Sequence, residues 1–203
     1  MKLLYSAASP FARMCLVTAH ELGMSHDLEI EQVVGTTPIA AHPELTKVNP
    51  LGRIPALVTD HGHALHDSRV ICEYLCHRAG DKKLLPDEPV KRFRVLTIQA
   101  LGQGMGDAAV ALRYETATRP QTARWHELIA RLRLRLTAAC DDLEANWMKD
   151  LTEVSAGSIA VGCAASYMDF RHGDLDWRRG RPKLTQWFEA FGARPAMQAT
   201  QPH

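Results

Sequence analysis

The 203-residue chain is predicted to fold as an α/β domain followed by an all-helical domain. In residues 1–80 the apolar pattern changes period often, as expected where short strands alternate with helices. From about residue 90 onward the apolar spacing is helical throughout. The stretch between them is rich in charged residues and proline. The sequence therefore predicts a first domain over residues 1–80, a linker over 81–89 and a helical domain over 90–203.

The first domain is expected to open with a strand over residues 2–6 and a helix over residues 10–22. Ser9 suits the N-cap of this helix because its side-chain oxygen can accept from a free backbone N–H. The helix then starts on a proline, which suits its first position, and Gly23 ends it. Apolar residues within 28–34 indicate a second strand, and a short helix is expected to end near residue 49.

A hairpin and a closing helix complete this domain. Residues 56–58 and 64–66 are predicted strands, joined by a tight turn over residues 60–63. Asp67 and Ser68 are then expected to start a helix. The order is a β-α-β unit followed by β-β-α, which is the thioredoxin-like arrangement.

The second domain is predicted from apolar residues spaced three and four apart. Its helices are expected over residues 90–114, 121–147, 155–171 and 182–191. In the first of them Ala100, Gly104 and Ala108 lie four residues apart, so another helix or a ligand is expected to approach the backbone there. Ser155 is placed to cap the third helix, but its partner three residues later is Ser158 in place of an acidic residue, so a weakened capping box is expected.

Composition excludes several classes of function. The chain has 24 Lys and Arg against 23 Asp and Glu, so nothing indicates binding to nucleic acid or to an anionic membrane. No apolar run approaches the ~18 residues of a membrane helix, and the start does not resemble a signal peptide. Five cysteines without a framework-like spacing indicate free thiols in a reducing, cytoplasmic compartment. No metal site is expected. His61 and His63 fall on one face of the hairpin but His66 on the other, and the Cys72 and Cys76 pair lacks a second pair at a zinc spacing.

Three short segments at strand–helix junctions carry a more specific signal. They are Ser-Pro-Phe-Ala-Arg over 9–13, Asn-Pro-Leu-Gly-Arg-Ile-Pro-Ala-Leu over 49–57 and Asp-Ser-Arg over 67–69. Together they resemble the signature segments of glutathione S-transferases. The Ser-Pro-Phe form is most similar to serine-type members, including plant tau enzymes and their bacterial relatives. Three later segments, at 174–177, 181–182 and 194–195, are also similar to segments of the bacterial members. The resemblance therefore covers nearly the whole chain.

This resemblance implies an enzyme that conjugates glutathione, as co-substrate, to small electrophiles, and a homodimer. It also implies that the Ile54–Pro55 bond is cis, so that the main chain of Ile54 can pair with the cysteinyl unit of glutathione. Ser68, at a helix N-terminus, suits the γ-glutamyl carboxylate, and Asp67 suits the ammonium group beside it. Arg53 is a candidate for the glycyl carboxylate.

Other positions are weaker candidates. His42 is a further possibility for the glycyl carboxylate. Phe11 is expected to contact glutathione and also to line an electrophile pocket with Met105 and Tyr114. Tyr5, at the end of the first strand, is an alternative to Ser9, because other classes of the family carry a catalytic tyrosine near that place.

Ser9 is the predicted catalytic residue. A serine hydroxyl is a poor base, so it is expected to donate a hydrogen bond that favours the glutathione thiolate. Lowering a thiol pKa from roughly 8.5 to near 6.5 requires about 2.7 kcal/mol. One charge-assisted hydrogen bond of about 1.5–3 kcal/mol, with about 0.3–1 kcal/mol from a helix N-terminus, is sufficient.

Two alternative functions remain open at this point. A glutathione-dependent thiol transferase or reductase usually needs a cysteine at the start of the first helix, where this chain has Ser9. A non-catalytic regulatory protein would bind glutathione without turnover, or would not bind it.

Overall fold

The structure is a computed structural model that describes residues 1–35, 37, 39–40 and 42–203. The strands are β1 Lys2–Tyr5, β2 Glu29–Gln32, β3 Ala56–Val58 and β4 Ala64–Leu65. The helices are α1 Pro10–Glu21, α2 Pro43–Val48, α3 Ser68–Ala79, α4 Pro89–Arg113, α5 His126–Asp142, α6 Ala156–Arg171, α7 Pro182–Gly192 and α8 Pro195–Gln198. The chain divides into two compact units, residues 1–85 with 195–203, and residues 86–194. No helix among the described residues is long and apolar enough to cross a membrane.

The first unit is built on a four-stranded mixed sheet with the order β2-β1-β3-β4. Strand β1 runs parallel to β2 and antiparallel to β3, and β3 is antiparallel to β4. Leu3 and Leu57 face each other in adjacent strands and are fully buried. The helices α1 and α3 supply further fully buried residues, including Ile71 and Leu75. This is the thioredoxin-like fold that the element order predicts.

The end of the chain packs with this first unit, although the sequence pattern placed residues 195–203 in the helical domain. The reason lies in Arg13, whose side chain is buried in α1. Its guanidinium donates to the main-chain carbonyl of Met197 at 2.9 Å and to the Thr200 hydroxyl at 3.3 Å. A buried guanidinium needs such acceptors, and the final segment provides them.

The second unit is helical, and α4 and α6 pack closely along their length. A Cβ added to Gly102 would lie 2.6 Å from main-chain atoms of Ala160 and Val161, whereas one added to Gly104 would meet nothing within 4 Å. Gly104 and Ala100 are in fact exposed. The prediction that another helix approaches α4 at Ala100 and Gly104 was therefore wrong. The buried face of the helix passes through Gly102.

Helix α5 is shorter than predicted at both ends. Residues 121–123 form a separate 3-10 turn, and the helix begins only at His126. After Asp142 the chain continues as a π-helical turn over residues 143–147. Here Asp142 accepts hydrogen bonds from Asn146 and from the indole of Trp147. The apolar spacing ran from Trp125 to Trp147, so periodicity alone did not reveal the boundary at Asp142.

Helix α6 begins with a complete capping box made from two serines. The Ser155 N–H donates to Ser158 Oγ at 2.8 Å, and the Ser158 N–H donates to Ser155 Oγ at 3.2 Å. A serine in place of the aspartate usual in the family suggested a weakened box, but both reciprocal bonds form. A hydroxyl accepts as a carboxylate does, and at this fully buried position it avoids burying a charge.

Candidate active site

Ser9 occupies the N-cap of α1, as predicted. Its backbone is extended, and its Oγ accepts a hydrogen bond from the Ala12 N–H at 3.2 Å. Its side chain is partly buried. Among the described residues no acceptor receives the Ser9 hydroxyl proton. The oxygen is therefore fixed by the helix, and the proton is available to an acceptor outside the chain.

The local electrostatics favour an anion beside Ser9. The first turn of α1 contains no acidic residue, so the partial positive charge of the helix N-terminus is not neutralised there. Pro10 holds the first helical position. Because proline lacks an N–H, the start of the helix has one backbone donor fewer that needs a partner.

The register of the sheet brings the three predicted segments to one edge. Leu4 in β1 pairs with Ala56 in β3. Because these strands are antiparallel, the end of β1, which leads to Ser9, lies beside the start of β3. Leu57 pairs with Leu65 in β4, so the end of β4, which leads to Asp67, lies beside the same point. The topology therefore gathers the Ser9, Pro55 and Asp67 junctions.

The Ile54–Pro55 peptide bond is cis, as the resemblance implied, and the His66–Asp67 bond is cis as well. Pro55 is buried and Ile54 is partly buried. In the described part of the chain, no hydrogen bond involves the main-chain N–H or carbonyl of Ile54. Both groups are thus available to pair with the main chain of an extended peptide.

Asn49 holds the loop before this bond, a role that the sequence analysis did not assign. Its side-chain amide donates to the Arg53 carbonyl at 2.7 Å, and its side-chain carbonyl accepts from the Leu51 N–H at 3.0 Å. Asn49 is 2% exposed, while the Arg53 side chain is exposed. An asparagine followed by proline was a local signal for such a turn.

Asp67 caps α3, and its Oδ1 accepts from the Arg69 N–H at 3.0 Å. The Arg69 side chain also forms an ion pair with it at 3.1 Å. Burial raises the pKa of Asp67, but the hydrogen bonds and charge of Arg69 hold it below its ordinary value. Asp67 is therefore an ionised carboxylate beside Ser68, which is 1% exposed at the first position of the helix. The pairing with Arg69 was not anticipated.

The remaining candidates lie in different settings. Tyr5 ends β1 and Phe11 lies in the first turn of α1, both partly buried. Nδ1 of His42, at the N-cap of α2, is buried without a hydrogen-bond partner among the described residues. In the second unit, Met105 is 2% exposed and Tyr114 is 37% exposed.

The five cysteines, all in the described part of the chain, are buried and form no disulfide. Cys72 accepts from the Thr18 hydroxyl at 3.4 Å, and burial raises the pKa of Cys76 to about 12. Within the described residues no group of three or more His, Cys, Asp or Glu is placed to hold a metal ion.

Comparison with known proteins places the chain in a family. Residues 8–78 match the glutathione S-transferase N-terminal domain and residues 120–190 match the glutathione S-transferase C-terminal domain. The uncharacterized GST-like protein YibF of Escherichia coli K12 is 31% identical, over 100% of this chain and 98% of its own.

Two solved structures are similar to this chain over its whole length. A glutathione transferase family member from Pseudomonas fluorescens Pf-5, with bound glutathione, has a TM-score of 0.97 and 37% identity over 100% of this chain and 98% of its own. A glutathione S-transferase from Methylobacillus flagellatus, also with glutathione bound, has a TM-score of 0.86 and 32% identity. The match covers 100% of this chain and 99% of that structure's chain. The chain therefore belongs to the glutathione S-transferase family.

Proposed function

We propose that this protein is a serine-type glutathione transferase that conjugates glutathione to small electrophiles. The observation that carries the proposal is Ser9, whose oxygen is fixed by the Ala12 N–H while its proton has no acceptor among the described residues. It lies at the sheet edge that also holds the Ile54 main chain and Asp67. The two solved relatives named above bind glutathione, which supports the same ligand here.

Each part of glutathione finds a matching group. The Ile54 N–H and carbonyl pair with the cysteinyl main chain. Ser68 and the N-terminus of α3 bind the γ-glutamyl carboxylate, and the ionised Asp67 binds the ammonium group. The Arg53 guanidinium, which is exposed, attracts the glycyl carboxylate, and Phe11 contacts the ligand from α1.

In the reaction, the thiol loses its proton to solvent and the Ser9 hydroxyl donates to the resulting thiolate. The sulfur then attacks the electrophilic carbon, a C–S bond forms, and the leaving group departs with its electron pair. Ser9 takes no proton, because a serine hydroxyl is a weak base. Disulfide exchange is less well supported, because position 9 is a serine and the described cysteines are buried. By the family resemblance we further expect a cytoplasmic homodimer.

The test is a calorimetric titration with glutathione followed by turnover on a panel of electrophiles. Wild type should bind glutathione and turn over at least one electrophile. Ser9→Ala should still bind but lose about tenfold or more in turnover, since one charge-assisted hydrogen bond is removed. Ser25→Ala, a partly buried serine beyond the other end of α1, is the control and should match wild type. Unchanged turnover in Ser9→Ala would remove the role of Ser9, and absent binding in wild type would remove the proposal.

A further inference from the structure

Residues 195–203 form an anchored segment of the first unit. They begin with the short helix α8, in which Ala196 and Met197 are buried. The Thr200 hydroxyl donates to the carbonyl of Ala196 at 2.8 Å. Because this bond uses the hydroxyl proton, the oxygen of Thr200 keeps its lone pairs for a donor from another element.

That donor is Arg13 of α1. Its Nε donates to the Thr200 hydroxyl at 3.3 Å, and its Nη2 donates to the Met197 carbonyl at 2.9 Å. Arg13 is 4% exposed, so these bonds form largely out of contact with water. The N–H groups of a guanidinium have a fixed geometry. Two acceptors therefore fix its direction as well as its place.

Arg13 also closes the first turn of α1, the turn that begins at Ser9. Its main-chain N–H donates to the Ser9 carbonyl at 3.1 Å. The N–H of Ala12, the residue before it, donates to Ser9 Oγ at 3.2 Å. The Ser9 N–H is held as well, by the Ser6 carbonyl at 2.9 Å. Ser9 therefore moves with the first turn, and one side chain joins that turn to residues 197–200.

Apolar packing alone does not orient this turn. Ala12 is fully buried, and such contacts hold α1 in the first unit, but the hydrophobic effect has no direction. Helix ends fray, because their terminal N–H groups lack partners within the helix. A hydrogen bond weakens steeply once its angle departs from the preferred range. A hydroxyl that must point at a sulfur atom therefore depends on directional contacts that fix the turn.

We infer that Arg13 and Thr200 are positioning residues for Ser9, and that residues 195–200 keep its hydroxyl aligned with the glutathione sulfur. They act through the first turn of α1 and not by contact with the substrate. The inference rests on the proposed conjugation. It adds to the site a segment that is far away in the sequence, since Met197 lies 184 positions after Arg13.

The test is the pKa of the bound glutathione thiol, followed by the ultraviolet absorbance of the thiolate, in Thr200→Val and Thr200→Ser. Valine has nearly the shape of threonine but offers Arg13 no acceptor, whereas serine retains the hydroxyl. Thr200→Val should raise the thiol pKa by about 0.5 unit or more, roughly a threefold change in the ionisation constant. Thr200→Ser should restore the wild-type value.

The kinetics of Thr200→Val should change in the same direction. Near pH 6.5, kcat should fall by about twofold or more, because a smaller fraction of the bound thiol is ionised. The KM for glutathione should stay within about twofold of wild type, because the groups proposed to bind the peptide, at Ile54, Asp67 and Ser68, are untouched. A role in folding alone would not produce this division between kcat and KM.

Thr185→Val is the matched control. The Thr185 hydroxyl donates to the Arg181 carbonyl at 2.7 Å, four residues before it, as that of Thr200 does to Ala196. It belongs to the second unit, so this substitution should leave the thiol pKa unchanged. A loss of stability in Thr200→Val without a change in thiol pKa would show a purely structural role and would overturn the inference.

The inference and the proposed function fail in different ways. If Ser9→Ala raises the thiol pKa but Thr200→Val does not, Ser9 keeps its role, and Arg13 and Thr200 lose theirs. If wild type binds no glutathione, or gives the bound thiol the pKa of free glutathione, the proposed function and this inference are both overturned.

Discussion

At the scale of single residues, the Asn49 side chain holds the loop over residues 50–54. It is 2% exposed and satisfies two main-chain groups, the Leu51 N–H and the Arg53 carbonyl. Both groups belong to the segment that leads into Ile54. The loop geometry on which the proposed peptide pairing depends is therefore set by one buried amide, and not by Arg53 itself, which is exposed.

Asn49→Ala should lower the free energy of unfolding by about 2 kcal/mol, because it leaves two main-chain groups near the interior without partners. It should also weaken glutathione binding, because the Ile54 main chain loses its support. Urea unfolding and calorimetry measure the two effects. The control is Asn146→Ala, which removes an exposed amide that donates to Asp142 and should change stability by less than about 0.5 kcal/mol. Equal effects of the two substitutions would contradict this role.

At the scale of elements, the contact between α4 and α6 depends on which glycine faces the partner helix. Gly102→Ala should lower the free energy of unfolding by about 1–3 kcal/mol, because its Cβ would lie 2.6 Å from the backbone of α6. Gly104→Ala should raise it by about 0.5–1 kcal/mol, because nothing lies within 4 Å and alanine favours the helix.

The two substitutions are chemically identical and only two positions apart, so each is the control for the other. Urea unfolding of both variants measures the difference. Two changes of the same sign would show that the packing of α4 against α6 is not the one described.

These glycines also show what sequence can reveal at this scale. The helix limits were predictable to within a few residues wherever a cap or a stop was present, as at Ser9 and Gly23. The buried face of α4 was not, since glycines and alanines recur along it at several spacings. Which of them contacts α6 depends on the rotation of one helix against another, and a single sequence carries no direct record of it.

At the scale of the whole chain, its last residues return to the first unit through Arg13. An arginine within an apolar helix is a visible signal, but its partners, Met197 and Thr200, lie at the far end of the sequence. Nothing local to Arg13 identifies them. The structure of the three junctions at Ser9, Pro55 and Asp67, in contrast, was predictable because each carries its own turn and cap residues, and the sheet register brings them together.

Arg13→Met should lower the free energy of unfolding by about 1–3 kcal/mol, because the Met197 carbonyl loses its donor inside the first unit. Residues 195–203 should also become more susceptible to carboxypeptidase. The matched control is Arg179→Met, which removes an exposed arginine that pairs with Asp176 on the surface. Its effect should stay below about 0.5 kcal/mol, as is usual for surface ion pairs. An unchanged digestion rate in Arg13→Met would contradict the role of Arg13.

The central claim is that the Ser9 hydroxyl stabilises the thiolate of bound glutathione, and the pKa of that thiol tests it most directly. It is measured from the ultraviolet absorbance of the thiolate as pH is varied in wild type, Ser9→Thr and Ser9→Ala. Wild type and Ser9→Thr should give a thiol pKa near 6.5, about two pH units below that of a free thiol, while Ser9→Ala should return it most of the way to roughly 8.5. A thiol pKa in Ser9→Ala equal to that of wild type, with glutathione still bound, would contradict the claim.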